Sequence, residues 1–198
     1  MNIFILDKDP VIAAQLQCDK HVVKMIVESA QMLSTSHRLL DGVAVKRPSK
    51  SGKTMRTYYD LYEGTDDLEM ETLLMANAHE SHPCTKWTME SIGNYNWHWL
   101  HLKALCEEYT YRYGKIHKVE RIDPVVGYSL LQALKILPRN IPDGPMTPFR
   151  LAMKSNPECM YEDDPVRSYR EFYQTKTFKM VWTKREIPEW FHACIYAA

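Results

Sequence analysis

The segment from Pro10 to Leu40 constrains the fold more than any other part of the chain. At 100° per residue, Ile12, Leu16, Val22, Val23, Ile26, Val27, Ala30 and Leu33 cover more than half of a helical circumference, wider than the stripe of a surface helix. Such a helix belongs near the centre of a fold. Asp9-Pro10 opens it, because the carboxylate accepts hydrogen bonds from first-turn N–H groups and Pro at the first helical position gives up none. The helix is expected to stop near Asp41-Gly42. Its polar residues Gln17, Lys20, His21, Lys24, Glu28 and Gln31 recur at helical spacings and share a stripe about 100° wide.

The same Asp-Pro signal at Asp123-Pro124 and Asp164-Pro165 predicts helices over Pro124–Leu137 and Asp164–Lys176. A further long helix runs from Pro83 to about Tyr113, ends at Gly114, and lines up Trp87, Ser91, Tyr95, His98, Leu102, Leu105 and Tyr109 on one face. Asn2–Leu6 is a short apolar segment, either a strand or an extended arm. Four prolines make Pro138–Pro148 a surface loop. Val45–Thr57 reads as an exposed basic loop with Lys46, Arg47, Lys50, Lys53 and Arg56 and no acid, whereas Asp60–Glu71 carries only acids. Seven glycines against five tryptophans and twelve tyrosines disfavour tight hairpins. The expected fold is all-α: one compact domain over residues 1–198, built on two long helices, with an aromatic and basic tail at 178–198.

A length of 198 residues with 45% hydrophobic and 25% charged residues supports a buried core and excludes a mostly disordered chain. Lys plus Arg (25) equals Asp plus Glu (25), so only a local patch could recognise a polyanion. No apolar run approaches the ~20 residues that span a bilayer, and Met1–Leu6 does not resemble a secretory leader. A cytoplasmic protein without a membrane partner is expected. Five widely spaced cysteines without a CxxC read as reduced thiols.

Ser49–Thr54 ends like a phosphate-binding loop, but Arg47 stands where its first glycine belongs. His79, His82 and Cys84, with His98 and His101, match no closed four-ligand zinc spacing, and no metal is assigned. Between Pro165 and Arg185, the cations Arg167, Arg170, Lys176, Lys179, Lys184 and Arg185 face the single acid Glu171 and alternate with aromatic residues. Cations neutralise phosphates and aromatic faces stack on unpaired bases, so this stretch is a candidate nucleic-acid surface, with Trp182 or Trp190 as the stacking wedge. On the polar stripe, Lys24 and Glu28 either satisfy each other at i, i+4 or line a cleft. In a cleft, Glu28 would serve as the acid/base and His21 as a proton shuttle.

Cys18-Asp19-Lys20-His21-Val22-Val23-Lys24-Met25-Ile26-Val27-Glu28 resembles the catalytic helix of the bacteriophage endonuclease V type of pyrimidine-dimer DNA glycosylase, in which Asp-x-His precedes the catalytic glutamate at this spacing. Glu28 falls on that glutamate. Pro188-x-Trp190-Phe191 and Ile195-Tyr196-Ala197 are similar to that family's aromatic C-terminus. Ser81-His82-Pro83 through Glu108 to Arg112 resembles the second long helix of the wider family, with its His-Pro start and Glu-x-x-x-Arg end.

The resemblance implies an all-α glycosylase, located in the host cytoplasm if phage-encoded. It would act without a cofactor on double-stranded DNA containing a damaged or modified pyrimidine, with an accompanying lyase step. It implies catalysis by Glu28, flanked by His21 and Lys24, and a nucleophilic amine at the processed N-terminus. Asn2 departs from that pattern, since its large side chain hinders removal of Met1. The nucleophile is then the amine of Met1, a desolvated Lys24, or a water activated by Glu28. The alternatives are a non-catalytic nucleic-acid-binding protein, an enzyme for nucleotides or hypermodified bases on the same scaffold and, third, a zinc-dependent enzyme using the His79, His82 and Cys84 cluster.

Overall fold

The computed structural model describes residues 2–49, 51–61 and 65–191, with backbone alone at 65–67. Its α-helices are α1 (Pro10–Gln15), α2 (Asp19–Asp41), α3 (Thr65–Leu73), α4 (Pro83–Met89), α5 (Ile92–Tyr113), α6 (Leu130–Ala133) and α7 (Pro165–Gln174). Strands β1 (Val43–Pro48) and β2 (Met55–Asp60) form an antiparallel ribbon between α2 and α3. The fold is therefore mixed rather than all-α. The segment expected to be a basic loop pairs instead, using Val43, Val45, Thr57, Tyr58 and Tyr59, residue types that suit a pleated ladder. The lookalike phosphate loop is the turn of this ribbon, closed by the Ser49 N–H on Thr54 O at 2.7 Å, with Gly52 at φ +71°.

Helix α2 lies centrally, against α5 and α4, as its wide apolar arc requires. Val22, Met25, Ile26, Ala30 and Leu33 from α2 enter one core with Trp87, Tyr95, Leu102 and Leu105. The expected Pro10–Leu40 helix is broken at Leu16–Cys18. Tertiary hydrogen bonds replace the helical ones at the break. Trp182 Nε1–H donates to Leu16 O at 2.9 Å, the Cys18 N–H to Tyr173 Oη at 2.8 Å, and the Asp19 N–H to Val181 O at 2.8 Å.

The second long helix is also divided, at Glu90–Ser91. Ser91 Oγ accepts from the Asn94 N–H, while the Ile92 and Gly93 N–H groups donate to Pro142 O and Gly144 O. The proline-rich loop thus occupies donors that a continuous helix would have used internally. Gly93 permits this approach, since a Cβ there would lie 2.3 Å from Met146 N. Of the expected Pro124–Leu137 helix only α6 forms. Asp123 Oδ1 accepts from the Val125 and Val126 N–H groups, but Gly127 at φ +85° turns the chain, and a Ser129/Gln132 capping box then starts α6. Helix α7 follows its signal closely, with Asp164 capping the Arg167 N–H.

Residues 2–6 form a buried arm that turns at Phe4, where the Leu6 N–H donates to Phe4 O at 2.9 Å, and belong to no strand. Among the described residues, no helix is long and apolar enough to cross a membrane.

Candidate active site

The N-terminal arm, the first three turns of α2, and the segment from α7 to Phe178 enclose a cavity of about 320 Å³. Glu28 lies in its wall, with its side chain 13% exposed. One carboxylate oxygen, Oε2, accepts the Asn2 backbone N–H at 3.1 Å, and the other, Oε1, faces Lys24 Nζ at 3.1 Å. The carboxylate thereby meets one donor from the arm and one from the helix, while the cavity stays open beside it. Lys24 itself is 58% exposed, so the burial required of a nucleophilic lysine is absent.

The arm is locked by Asn2. Its Oδ1 accepts the Ile3 N–H at 2.8 Å and the Phe4 N–H at 3.3 Å, and its Nδ2 donates to Ala152 O at 3.1 Å. This folds the chain tightly enough to put Phe4 at φ +55°, a conformation that strains an L-residue by about 1–3 kcal/mol. In return the Phe4 ring stacks on the His21 imidazole at 4.4 Å. The large residue at position 2 thus holds the wall of the cavity in place.

His21 is buried among Phe4, Tyr173 and Phe178, and its Nδ1 has no hydrogen-bond partner. Burial pushes its pKa down to about 3, with Lys176, Lys24 and Lys20 adding to the effect. It is neutral throughout the physiological range. In this state His21 contributes a neutral aromatic face to the cavity wall. The same three lysines border the cavity: Lys20 Nζ sits 4.1 Å from the Phe178 ring centroid and Lys176 Nζ 3.4 Å from that of Phe172. Burial, with Lys24 adding to it, lowers the pKa of Lys176. Three ammonium groups, one carboxylate and four aromatic rings thus present net positive charge and flat faces to the cavity.

The remaining basic residues of 165–185 do not form one surface. Arg167 pairs with Glu171 at 2.9 Å and lies over Tyr161. Arg170 donates to Leu6 O at 2.9 Å and approaches Asp7. Arg185 holds Glu108 through two hydrogen bonds, and Lys184 Nζ donates to Tyr111 O. Only Lys176 joins the cavity, while Lys179 is exposed. Trp182 is buried, and its indole N–H donates to Leu16 O, which anchors the tail to the break between α1 and α2. Trp190 is half-buried beside Tyr173 and Arg170. Met1 and the Ile195-Tyr196-Ala197 terminus lie outside the described residues.

Lys20, on the polar stripe, and Phe172 and Phe178, among the aromatics that alternate with the tail cations, also line the cavity, and Phe4 joins them with no sequence signal, since only the fold brings the N-terminal arm to α2. His82 Nδ1 caps the Cys84 N–H, and burial raises the Cys84 thiol to about 11. Among the described residues, no three His, Cys, Asp or Glu side chains are grouped to hold a metal ion. His98 and His101 bond to Thr88 and Gln17, and burial lowers both pKa values. Comparison with protein-family models, curated proteins and solved structures finds no match to this chain.

Proposed function

We propose that the chain is a DNA N-glycosylase for a damaged or modified pyrimidine, with Glu28 as its essential carboxylate. The observation carrying this reading is the clamped Glu28 carboxylate, set in a cavity bordered by cations and aromatic rings. Lys20, Lys24 and Lys176 suit phosphates, and the rings suit an extruded base. The resemblance of Cys18–Glu28 to the glycosylase helix supports the same assignment.

As the N-glycosidic bond breaks, its electron pair leaves with the base and positive charge grows on the sugar, where Glu28 stabilises it. A water then bonds to the sugar carbon and releases its proton to Glu28. Water is preferred over Lys24 because that side chain is exposed and already engaged with Glu28.

The test is incubation with ultraviolet-irradiated DNA and with DNA carrying modified pyrimidines, scoring free base and borohydride-trapped complex for wild type and Glu28→Gln. Free base without trapping, lost in the variant, is expected. Trapping would replace water with an amine, and absence of free base on every substrate would overturn the glycosylase reading.

A second reading, a nucleotide or hypermodified-base enzyme, is favoured by the neutralisation of Arg167 and Arg185, which leaves cations enough near the cavity for a free nucleotide. Turnover of small nucleotides with weak duplex binding would select it.

A further inference from the structure

The β1–β2 ribbon takes no part in the cavity around Glu28. Lys46, Arg47, Lys53 and Arg56 on it are all exposed, and no acid occurs between Gly42 and Asp60. Register places Arg47 directly opposite Arg56, and like charges opposed across a ladder destabilise it. Two contacts offset the repulsion. Asp60 takes both Arg47 guanidinium nitrogens, and the Tyr58 ring lies 4.4 Å from the Arg47 guanidinium and 5.4 Å from that of Arg56. Lys46, Lys53 and Arg56 have no carboxylate partner among the described residues.

The ribbon is held firmly to α2. Buried Arg38 donates to Tyr59 O at 2.8 Å, Met75 O at 2.7 Å and Leu74 O at 3.0 Å, and to both oxygens of Glu71 at 3.0 Å. Gly42 joins helix to strand where a Cβ would lie 2.5 Å from Arg38 O, so the two elements meet without slack. Along α2 the step from Glu28 to Gly42 is about 21 Å, and the helix returns to within about 40° of the direction in which Glu28 points. That length equals about six base pairs at about 3.4 Å each.

We propose that the ribbon is a DNA-binding arm that lies against double-stranded DNA about six base pairs from the nucleotide held at Glu28, with Lys46, Lys53 and Arg56 on its phosphates. A two-stranded ribbon has the width that the major groove admits. The inference rests on the glycosylase reading for its partner, and its test is binding rather than turnover.

The experiment measures the affinity of the full chain for a lesion-containing duplex at several salt concentrations, by fluorescence anisotropy. It compares wild type with the triple variant Lys46→Gln, Lys53→Gln, Arg56→Gln, and with Lys115→Gln as an exposed control. Each phosphate contact contributes about 0.9 to the slope of log affinity against log salt, so the triple variant is expected to lose about 2–3 units of slope and to bind at least about tenfold more weakly at low salt. The control is expected to behave as wild type, and all proteins to melt at the same temperature.

A slope unchanged in the triple variant, or lowered equally by Lys115→Gln, overturns the arm alone. Ribbon-dependent binding without base release on any substrate upholds the arm and overturns the glycosylase reading. Failure of wild type to bind duplex DNA even at low salt overturns both, as would selective binding of acidic protein instead.

Discussion

Arg185 grips both oxygens of Glu108, through Nε at 3.0 Å and Nη2 at 2.9 Å, while Arg112 takes the same carboxylate at 2.7 Å from one turn along α5. Arg112 also reaches Asp19 at 2.9 Å, and Asp19 accepts the Thr183 N–H and hydroxyl. The network ties the start of α2, the end of α5 and the C-terminal segment into one unit. A tail cation that composition assigns to DNA is thus committed to holding the framework behind the cavity.

Removing the centre of this network is expected to be costly. Arg112 has a side chain with 0% exposure, so Glu108→Ala leaves a buried guanidinium short of its partner and should lower stability by about 3–5 kcal/mol. Arg185→Gln removes a partner that is 33% exposed and should lower stability by about 1–2 kcal/mol, leaving DNA affinity within about twofold of wild type. Urea unfolding and anisotropy titrations check both. A large fall in affinity with unchanged stability in Arg185→Gln would return that residue to the binding surface.

Acid should unfold the protein through its histidines before its carboxylates. Burial drives His21 and His101 down to about 3 and His37 to about 4, and it also places His98 well below its ordinary value. Between pH 6.5 and about 4.5 the unfolded chain takes protons on these four residues and the folded chain does not, so their stabilisation is present above pH 6.5 and is lost as pH falls. Each contributes a slope of about 1.4 kcal/mol per pH unit. Burial raises the pKa of Glu108 and of Asp19, but hydrogen bonds from Arg185 and Arg112, and from Thr183 and Arg112, outweigh it and leave both lowered. Their contribution is present above the ordinary carboxylate range and disappears only at lower pH. Urea unfolding across pH 4.5–7 should show an uptake of about four protons from these residues, reduced by about one in His37→Gln, with His117, also lowered by burial, adding to it. A flat profile in that window would contradict the burial of these imidazoles.

Asn2→Ala is expected to loosen the arm. The variant loses the acceptor for the Ile3 and Phe4 N–H groups and the donor to Ala152 O, while the strained Phe4 backbone is left without its support. A cost of about 2–3 kcal/mol follows from buried groups left unpaired, lowering the melting temperature by about 5–10 °C. Base release should fall more than DNA affinity, because the Phe4 ring shifts away from His21. Asn2→Asp keeps the acceptor but sets a second carboxylate oxygen against Ala152 O, so it should recover little of the stability.

The sequence revealed what local chemistry dictates and concealed what distant partners decide. Asp9 and Asp164 cap helices as their Asp-Pro pairs require, and the α2 stripe does bring His21, Lys24 and Glu28 to one cavity. Asp123 makes the same first bonds, yet Gly127 diverts the chain before a turn of helix is complete. The breaks at Leu16–Cys18 and Glu90–Ser91 depend on Trp182, Tyr173 and the Pro142–Met146 loop, which no window of neighbouring residues contains. Basic residues on the ribbon hid the β-branched and aromatic residues Val43, Val45, Thr57, Tyr58 and Tyr59 that suit its pairing. The pairing of Arg185 with Glu108, 77 residues apart, likewise has no local signature.

Substitutions at Glu28 and Lys24 separate the carboxylate's role from that of its partner. Glu28→Gln keeps an acceptor for the Asn2 N–H but cannot take a proton or balance a positive sugar, so base release should fall by at least about 10²-fold while DNA affinity changes by no more than about twofold. Lys24→Met removes an i, i+4 ion pair whose lysine is 58% exposed and which is worth about 0.3–0.5 kcal/mol. It should slow base release by less than about tenfold, because Glu28 still has the Asn2 N–H to hold it. Single-turnover rates and anisotropy on one lesion-containing duplex measure both effects. Equal abolition of base release in the two variants would make Lys24 the reacting amine and displace water from the mechanism.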